Sequence, residues 1–209
     1  MQYVLHGLSS GGCRMGKRLL LASASPRRKE LLQQMGVEFE VQPVDMDESM
    51  RAGESVLEHV QRLAIEKARL GYTRASSKAN DLAVLAADTV VEIDGEVIGK
   101  PENYAQAAAF LARLSGKKHK VHTAVAIVTA EHEFTAINSS EVEFAQLTDA
   151  QINTYIETGE PMDKAGAYAI QGLAARFVVK LNGSYSGVMG LPIYETANLL
   201  SACGVCSRI

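Results

Sequence analysis

The chain has 209 residues, 47% hydrophobic and 22% charged, a balance that suits one folded domain, or one domain with two lobes, and excludes disorder of the whole. Its 21 Lys and Arg against 24 Asp and Glu leave a net charge of −3, which argues against a nucleic-acid coat but allows a local basic pocket. No apolar run reaches the roughly 20 residues that a membrane span needs, and three cysteines, an odd count, make no disulfide framework and fit a reducing cytoplasm.

Residues 1–16 lack helical or strand periodicity, contain Ser9-Ser10-Gly11-Gly12 and have no charge ahead of a long apolar core, so they do not read as a secretory leader. With Met15 just before the first regular segment, they are expected to be an appendage, either translated upstream sequence or an expression remnant. Residues 17–209 are expected to form a single domain. The apolar run at 18–23 suits a buried strand. Ser25-Pro26 then opens a helix, with Ser25 as N-cap and Pro26 at the first helical position, and Gly36 stops it. A short strand follows at 37–41, then a polar loop at 46–53. Ser55 caps a long helix reaching about residue 70, in which Val56, Val60, Leu63 and Ala64 share one face.

Residues 82–93 read as a long strand, linked through Asp94-Gly95, a strong two-residue hairpin turn, to a short strand at 96–98. An alanine-rich helix runs over 103–114, and paired strands over 121–130 and 134–145. Thr148 caps a helix to about 158, a strand covers 177–181, and a closing helix 192–202. Helices interleave with strands and no repeat is present. The expected class is α/β with a mixed sheet.

Functional sites often sit where local rules are broken. In Ser23-Ala24-Ser25-Pro26-Arg27-Arg28 a strand feeds a helix N-terminus, whose free N–H groups and positive dipole end oppose two arginines. An anion would relieve that conflict, and arginine suits phosphate; the alternative is that both arginines point into water. Asp88 interrupts an otherwise apolar strand, where an unpaired carboxylate costs several kcal/mol, so it needs a cation, a metal or a donor cluster. Lys67 falls on the apolar stripe of its helix, where snorkelling from the helix end is the usual outcome and entry into a site the other. Lys100, in Gly99-Lys100-Pro101, is a second cation, though lysines in such turns are mostly solvated. Asp45-Met46-Asp47-Glu48 either solvates the surface or supplies oxygen ligands to a hard divalent ion. Together these residues favour a phosphate-plus-metal pocket.

Other chemistry is weaker. His119 and His122, three apart on a strand, face opposite sides and make a poor metal pair. Cys203 and Cys206 have a CxxC spacing but no following helix and no second pair, so they read as an incidental tail.

Arg62-Leu63-Ala64-Ile65-Glu66-Lys67-Ala68, Ala87-Asp88-Thr89-Val90, Lys164-Ala165-Gly166-Ala167-Tyr168-Ala169-Ile170-Gln171-Gly172 and Gly190-Leu191-Pro192, in order with the arginine turn and the Gly-Lys-Pro turn, complete a specific set. On these motifs the chain, over about residues 17–202, resembles the Maf family of nucleoside triphosphate pyrophosphatases. The resemblance implies an elongated mixed sheet flanked by helices, two lobes and a central cleft, as in the inosine triphosphatase architecture. It implies cleavage of a nucleoside triphosphate between the α- and β-phosphates, with a divalent metal, magnesium by default and manganese as substitute. It implies Asp88 as proton acceptor and site positions at Ser23, Arg28, Glu48, Lys67 and Lys100, with Glu48 and Asp88 at the metal. Arg27, Thr89 and Gln171 match the specificity positions of the branch active on dTTP, UTP and related pyrimidine nucleotides. The partner is then the nucleotide alone, with no nucleic acid polymer and no membrane, in the cytoplasm; a homodimer is compatible. The rival class is a non-catalytic nucleotide-binding regulator of cell division, against which the Asp88, Lys67 and Lys100 set argues, because a pure binder needs no base.

Overall fold

The computed structural model describes residues 16–75 and 81–205. The expected appendage, apart from Gly16, and Cys206 of the CxxC spacing lie outside the described residues. Seven strands form one mixed sheet in the order β2-β1-β3-β5-β6-β7, with β4 also on β3. They are β1 (Arg18–Leu21), β2 (Phe39–Val41), β3 (Leu82–Ile93), β4 (Glu96–Ile98), β5 (Lys118–Val128), β6 (Glu133–Phe144) and β7 (Val178–Asn182). The helices are α1 (Pro26–Gln34), α2 (Val56–Arg74), α3 (Tyr104–Leu114), α4 (Asp149–Glu157), α5 (Tyr185–Met189) and α6 (Ile193–Cys203). β1 runs parallel to β2 and β3, and the remaining pairs are antiparallel. This is the mixed α/β class that the interleaved pattern predicts. Among the described residues no helix is long and apolar enough to cross a membrane.

Local chemistry sets several boundaries. Ser55 and Thr148 each close a capping box, with Glu58 and Gln151 at the third helical position. Asp94 and Gly95 both take positive φ, 54° and 80°, as a tight two-residue hairpin requires. Ser25 stands at the N-cap of α1 but makes no side-chain cap bond; its own N–H is instead received by Ser23 Oγ at 3.3 Å.

Some elements differ from the sequence expectation. α2 continues through Gly71 to Arg74, and a Cβ at Gly71 would stand 2.9 Å from both Ala22 Cβ and Val84 Cγ1. The helix packs so closely on Ala22 and Val84 there that a side chain at Gly71 would force a shift. β5 begins at Lys118, not Val121, because Lys118 and Lys120 lie opposite Glu143 and Glu141 across the ladder. The short helix α5 carries no long apolar pattern that would announce it.

Three buried clusters divide the molecule into two lobes. In the first, α1 and α6 cover one face of the sheet through Leu31, Leu32 and Leu200, and α2 covers the other through Val60, Ala64 and Ala68. In the second, Leu111, Leu114, Ile152 and Tyr155 of α3 and α4 pack on Val91, Ile93 and Ile98. β3 belongs to both lobes. Along one edge it pairs with β1 from Leu82 to Leu85 and with β4 from Val91 to Ile93. Between those two partners, residues 86–90 have no strand on that side among the described residues, while β5 pairs with them continuously on the other. The sheet is therefore split along one edge, at Asp88 and Thr89.

Candidate active site

A cleft of about 1150 Å³ opens at this split. It is walled by the turn after β1, the 44–50 loop, the inward side of α2, the Gly99-Lys100 turn and residues 163–171. Asp88 and Thr89 are successive strand residues and point to opposite faces. Both still line the cleft, because among the described residues no strand borders β3 there on the edge away from β5.

Asp88 points to the face covered by α2 and is almost fully buried. Lys67 reaches it from the apolar stripe of α2, with Nζ 2.7 Å from Asp88 Oδ1 and 2.5 Å from Glu48 Oε1. The lysine thus enters the site, the less usual outcome for a lysine so placed. Two of its three N–H donors meet carboxylates, and one remains. Burial works against the Glu48 carboxylate, but Lys67, Lys100 and Arg28 outweigh it and hold its carboxyl below the usual range. The Glu48 loop is anchored by Arg62, which donates to Glu54 at 2.5 and 2.8 Å and to the Ser49 carbonyl at 3.1 Å. Despite the cost of its burial, Arg62 above all holds the Glu54 carboxyl far below the ordinary carboxylate value.

Thr89 points to the face covered by α1, and there it meets Arg28. The Arg28 guanidinium donates from Nε to the Gly190 carbonyl at 2.8 Å, from Nη1 to Ser23 Oγ at 3.1 Å and from Nη2 to Thr89 Oγ1 at 3.2 Å. All three acceptors are neutral, so they orient the fork without cancelling its charge. Burial draws this group below its ordinary value, opposed first by the charge of Asp88. By donor count one N–H on each terminal nitrogen remains, and arginine N–H groups of this kind suit the oxygens of an anion. Gly190 favours glycine through its backbone, with φ at +116°, a conformation that L side chains rarely adopt.

Arg27 lies 3.9 Å from Asp163. Lys100 and Gln171 are exposed at the cleft wall. The structure thus brings Ser23, Arg27, Arg28, Glu48, Lys67, Asp88, Thr89, Lys100 and Gln171 to one cavity. Sequence reasoning missed Asp163 and Lys164 as lining residues, and it missed the Gly190 carbonyl, whose role no side-chain pattern announces. Lys164 is held by Asp163 and by the Glu160 carbonyl. The segment behind them is strained: Gly166 and Ala167 both have positive φ, 72° and 59°, and only the first is glycine.

The two histidines face apart, as expected. His119 Nε2 pairs with Tyr168 Oη at 2.8 Å, and His122 lies between Ser139 and Glu92. Among the described residues no group of three or more His, Cys, Asp or Glu is placed to hold a metal alone. Glu48 and Asp88, converging on Lys67, nevertheless fit a hard cation that takes one or two carboxylates and completes its shell with phosphate oxygens and water.

The sequence model of the family described as Maf-like protein matches residues 18–203. The dTTP/UTP pyrophosphatase of Methylobacillus flagellatus is 50% identical over 188 residues, 90% of this chain and 94% of that protein. The dTTP/UTP pyrophosphatase of Aromatoleum aromaticum is 48% identical over 197 residues, 90% of this chain and 96% of its own. That of Escherichia coli O157:H7 is 50% identical over 183 residues, 88% and 91% of the two chains. Since the match runs from the first strand to the last helix of the split-sheet fold, the chain belongs to the Maf-like protein family.

Proposed function

We propose that this chain hydrolyses nucleoside triphosphates, dTTP, UTP and related pyrimidine nucleotides among them, to the monophosphate and pyrophosphate. The observation that carries the reading is Asp88, buried at the split of β3 and bound to Lys67, in a cleft that also presents Arg28 and Lys100. The relatives named dTTP/UTP pyrophosphatase support the substrate class.

The residues divide the work. A triphosphate is multiply anionic, and Arg28, Lys67 and Lys100 bind it and stabilise the charge that moves onto the leaving pyrophosphate. Asp88 orients the attacking water and takes its proton. Gln171 and Arg27 face the cleft where a base can be read, whereas the Thr89 hydroxyl is engaged with Arg28 and Thr123. Magnesium, or manganese in its place, would be held by Glu48 and Asp88 and would supply neutralisation of phosphate charge.

Release of pyrophosphate from dTTP, UTP and 7-methyl-GTP tests this reading. Turnover of the two pyrimidine nucleotides above that of 7-methyl-GTP is expected. Tight nucleotide binding without pyrophosphate release would replace the enzyme with a nucleotide-binding regulator. Turnover that disappears with chelator and returns with magnesium would establish the metal.

A further inference from the structure

Thr123 is fully buried in the middle of β5, opposite Thr89 in the ladder. Its Oγ1 donates to the Gly187 carbonyl at 2.8 Å, which uses its one proton. The 2.9 Å contact with Thr89 Oγ1 must therefore run the other way, with Thr89 donating and Thr123 accepting. That choice fixes the Thr89 rotor. Its proton is turned from Arg28, and a lone pair is presented to Nη2. The same network holds the 187–190 segment at both ends, because Gly190 accepts from Arg28 Nε and Gly187 accepts from Thr123.

We propose that Thr123 is a positioning residue for phosphate binding: through the Thr89 hydroxyl it holds the Arg28 fork in the orientation that receives the substrate's anion. The proposal rests on the hydrolytic reading for the identity of that anion, but its physical content is the coupling of Thr123 to Arg28. Without the Thr123 hydroxyl, the Thr89 proton loses its acceptor and is free to turn toward a guanidinium that can only donate. The Gly187 carbonyl loses one of its two donors in the same step and keeps the Gly190 N–H at 3.0 Å. Nothing in the sequence marks this position, since a threonine in a strand is ordinary.

Thr123→Val keeps the shape and removes the hydroxyl, and Thr123→Ser keeps the hydroxyl. Titration calorimetry with inorganic pyrophosphate reads the anion site without requiring turnover. Thr123→Val is expected to weaken pyrophosphate binding about tenfold, the scale of one lost hydrogen bond to a charged group. Thr123→Ser should restore it. In an Arg28→Lys background, Thr123→Val should have no further effect, because the group it positions is gone. Should Thr123→Val not fold, Thr123→Cys, of similar volume but a weak acceptor, reads the same coupling. Equal weakening in both backgrounds, unchanged binding by the folded variant, or no pyrophosphate binding by the unaltered protein would each overturn the proposal. Turnover of dTTP is followed in parallel: a chain that shows the pyrophosphate coupling but releases no pyrophosphate from dTTP rejects the hydrolytic reading and leaves this one standing.

Discussion

The Lys67 ammonium lies 2.7 Å from the Asp88 carboxylate, and both side chains are about nine-tenths buried. The pair joins the inward face of α2 to the stretch of β3 that, among the described residues, has no strand on one side. Each charge compensates the other in a place where either alone would be costly, and Glu48 adds a second carboxylate to the same ammonium. The arrangement is asymmetric in what its loss does. Neutralising Asp88 leaves Lys67 its contact with Glu48, whereas removing the cation leaves two carboxylates without their shared partner.

Asp88→Asn is accordingly expected to lower turnover by about 100-fold or more, the usual scale of a lost general base, with the fold retained. The amide is nearly isosteric, and Lys67 keeps its contact with Glu48. Steady-state rates and a thermal melt of the same preparation check this. Turnover near that of the unaltered protein would remove Asp88 from the proton-acceptor role.

Lys67→Met should instead be costly to the fold, by about 3 kcal/mol, since it strands a buried carboxylate. Adding Asp88→Asn to it should recover part of that loss. Urea unfolding of the two single variants and the double variant reads the coupling. Strict additivity would mean that the pair contributes nothing as a pair.

His119 gives a pH dependence whose sign is fixed by its burial. Desolvation pushes its pKa down to about 4. Below about pH 6.5 the unfolded chain binds a proton there that the folded chain does not accept until about pH 4. This contribution to stability is full above pH 6.5 and is lost as the pH falls toward 4, by up to ~3 kcal/mol. Replacing His119 with Phe should flatten the fall in stability between pH 7 and pH 5 relative to the unaltered protein. Parallel curves for the two proteins would show that His119 does not titrate differently on folding.

Gln171→Glu should lower kcat/KM on dTTP and UTP by about tenfold, ~1.4 kcal/mol of transition-state stabilisation. The side chain stands at the cleft wall, and the cationic groups Arg28, Lys67 and Lys100 of the same cleft are untouched. The loss should therefore depend on the base. An equal drop on dTTP, UTP and 7-methyl-GTP would assign Gln171 to support of the site in general.

Much of this protein is legible in its sequence, because the signals are local. Period and capping residues mark α2 and α4, and Asp94-Gly95 marks the hairpin of β3 and β4. Asp88 stands out as a carboxylate inside an apolar strand. The ordered motifs identify the family, and the residues they nominate do meet in one cleft.

The tertiary structure decided what depends on partners distant in the chain. Whether Lys67 snorkels or turns inward depends on β3 lying beneath α2 with Asp88 opposite. That Asp88 and Thr89, on opposite faces, serve one cavity depends on β1 and β4 leaving residues 86–90 unflanked on one edge. Arg28 is oriented by Gly190, 162 positions away, through a backbone carbonyl. Thr123 enters only through the register that sets it against Thr89. Periodicity and propensity describe a residue's neighbours along the chain, whereas a buried hydroxyl or carbonyl acquires its role from hydrogen-bond geometry that exists only once the sheet has closed its register.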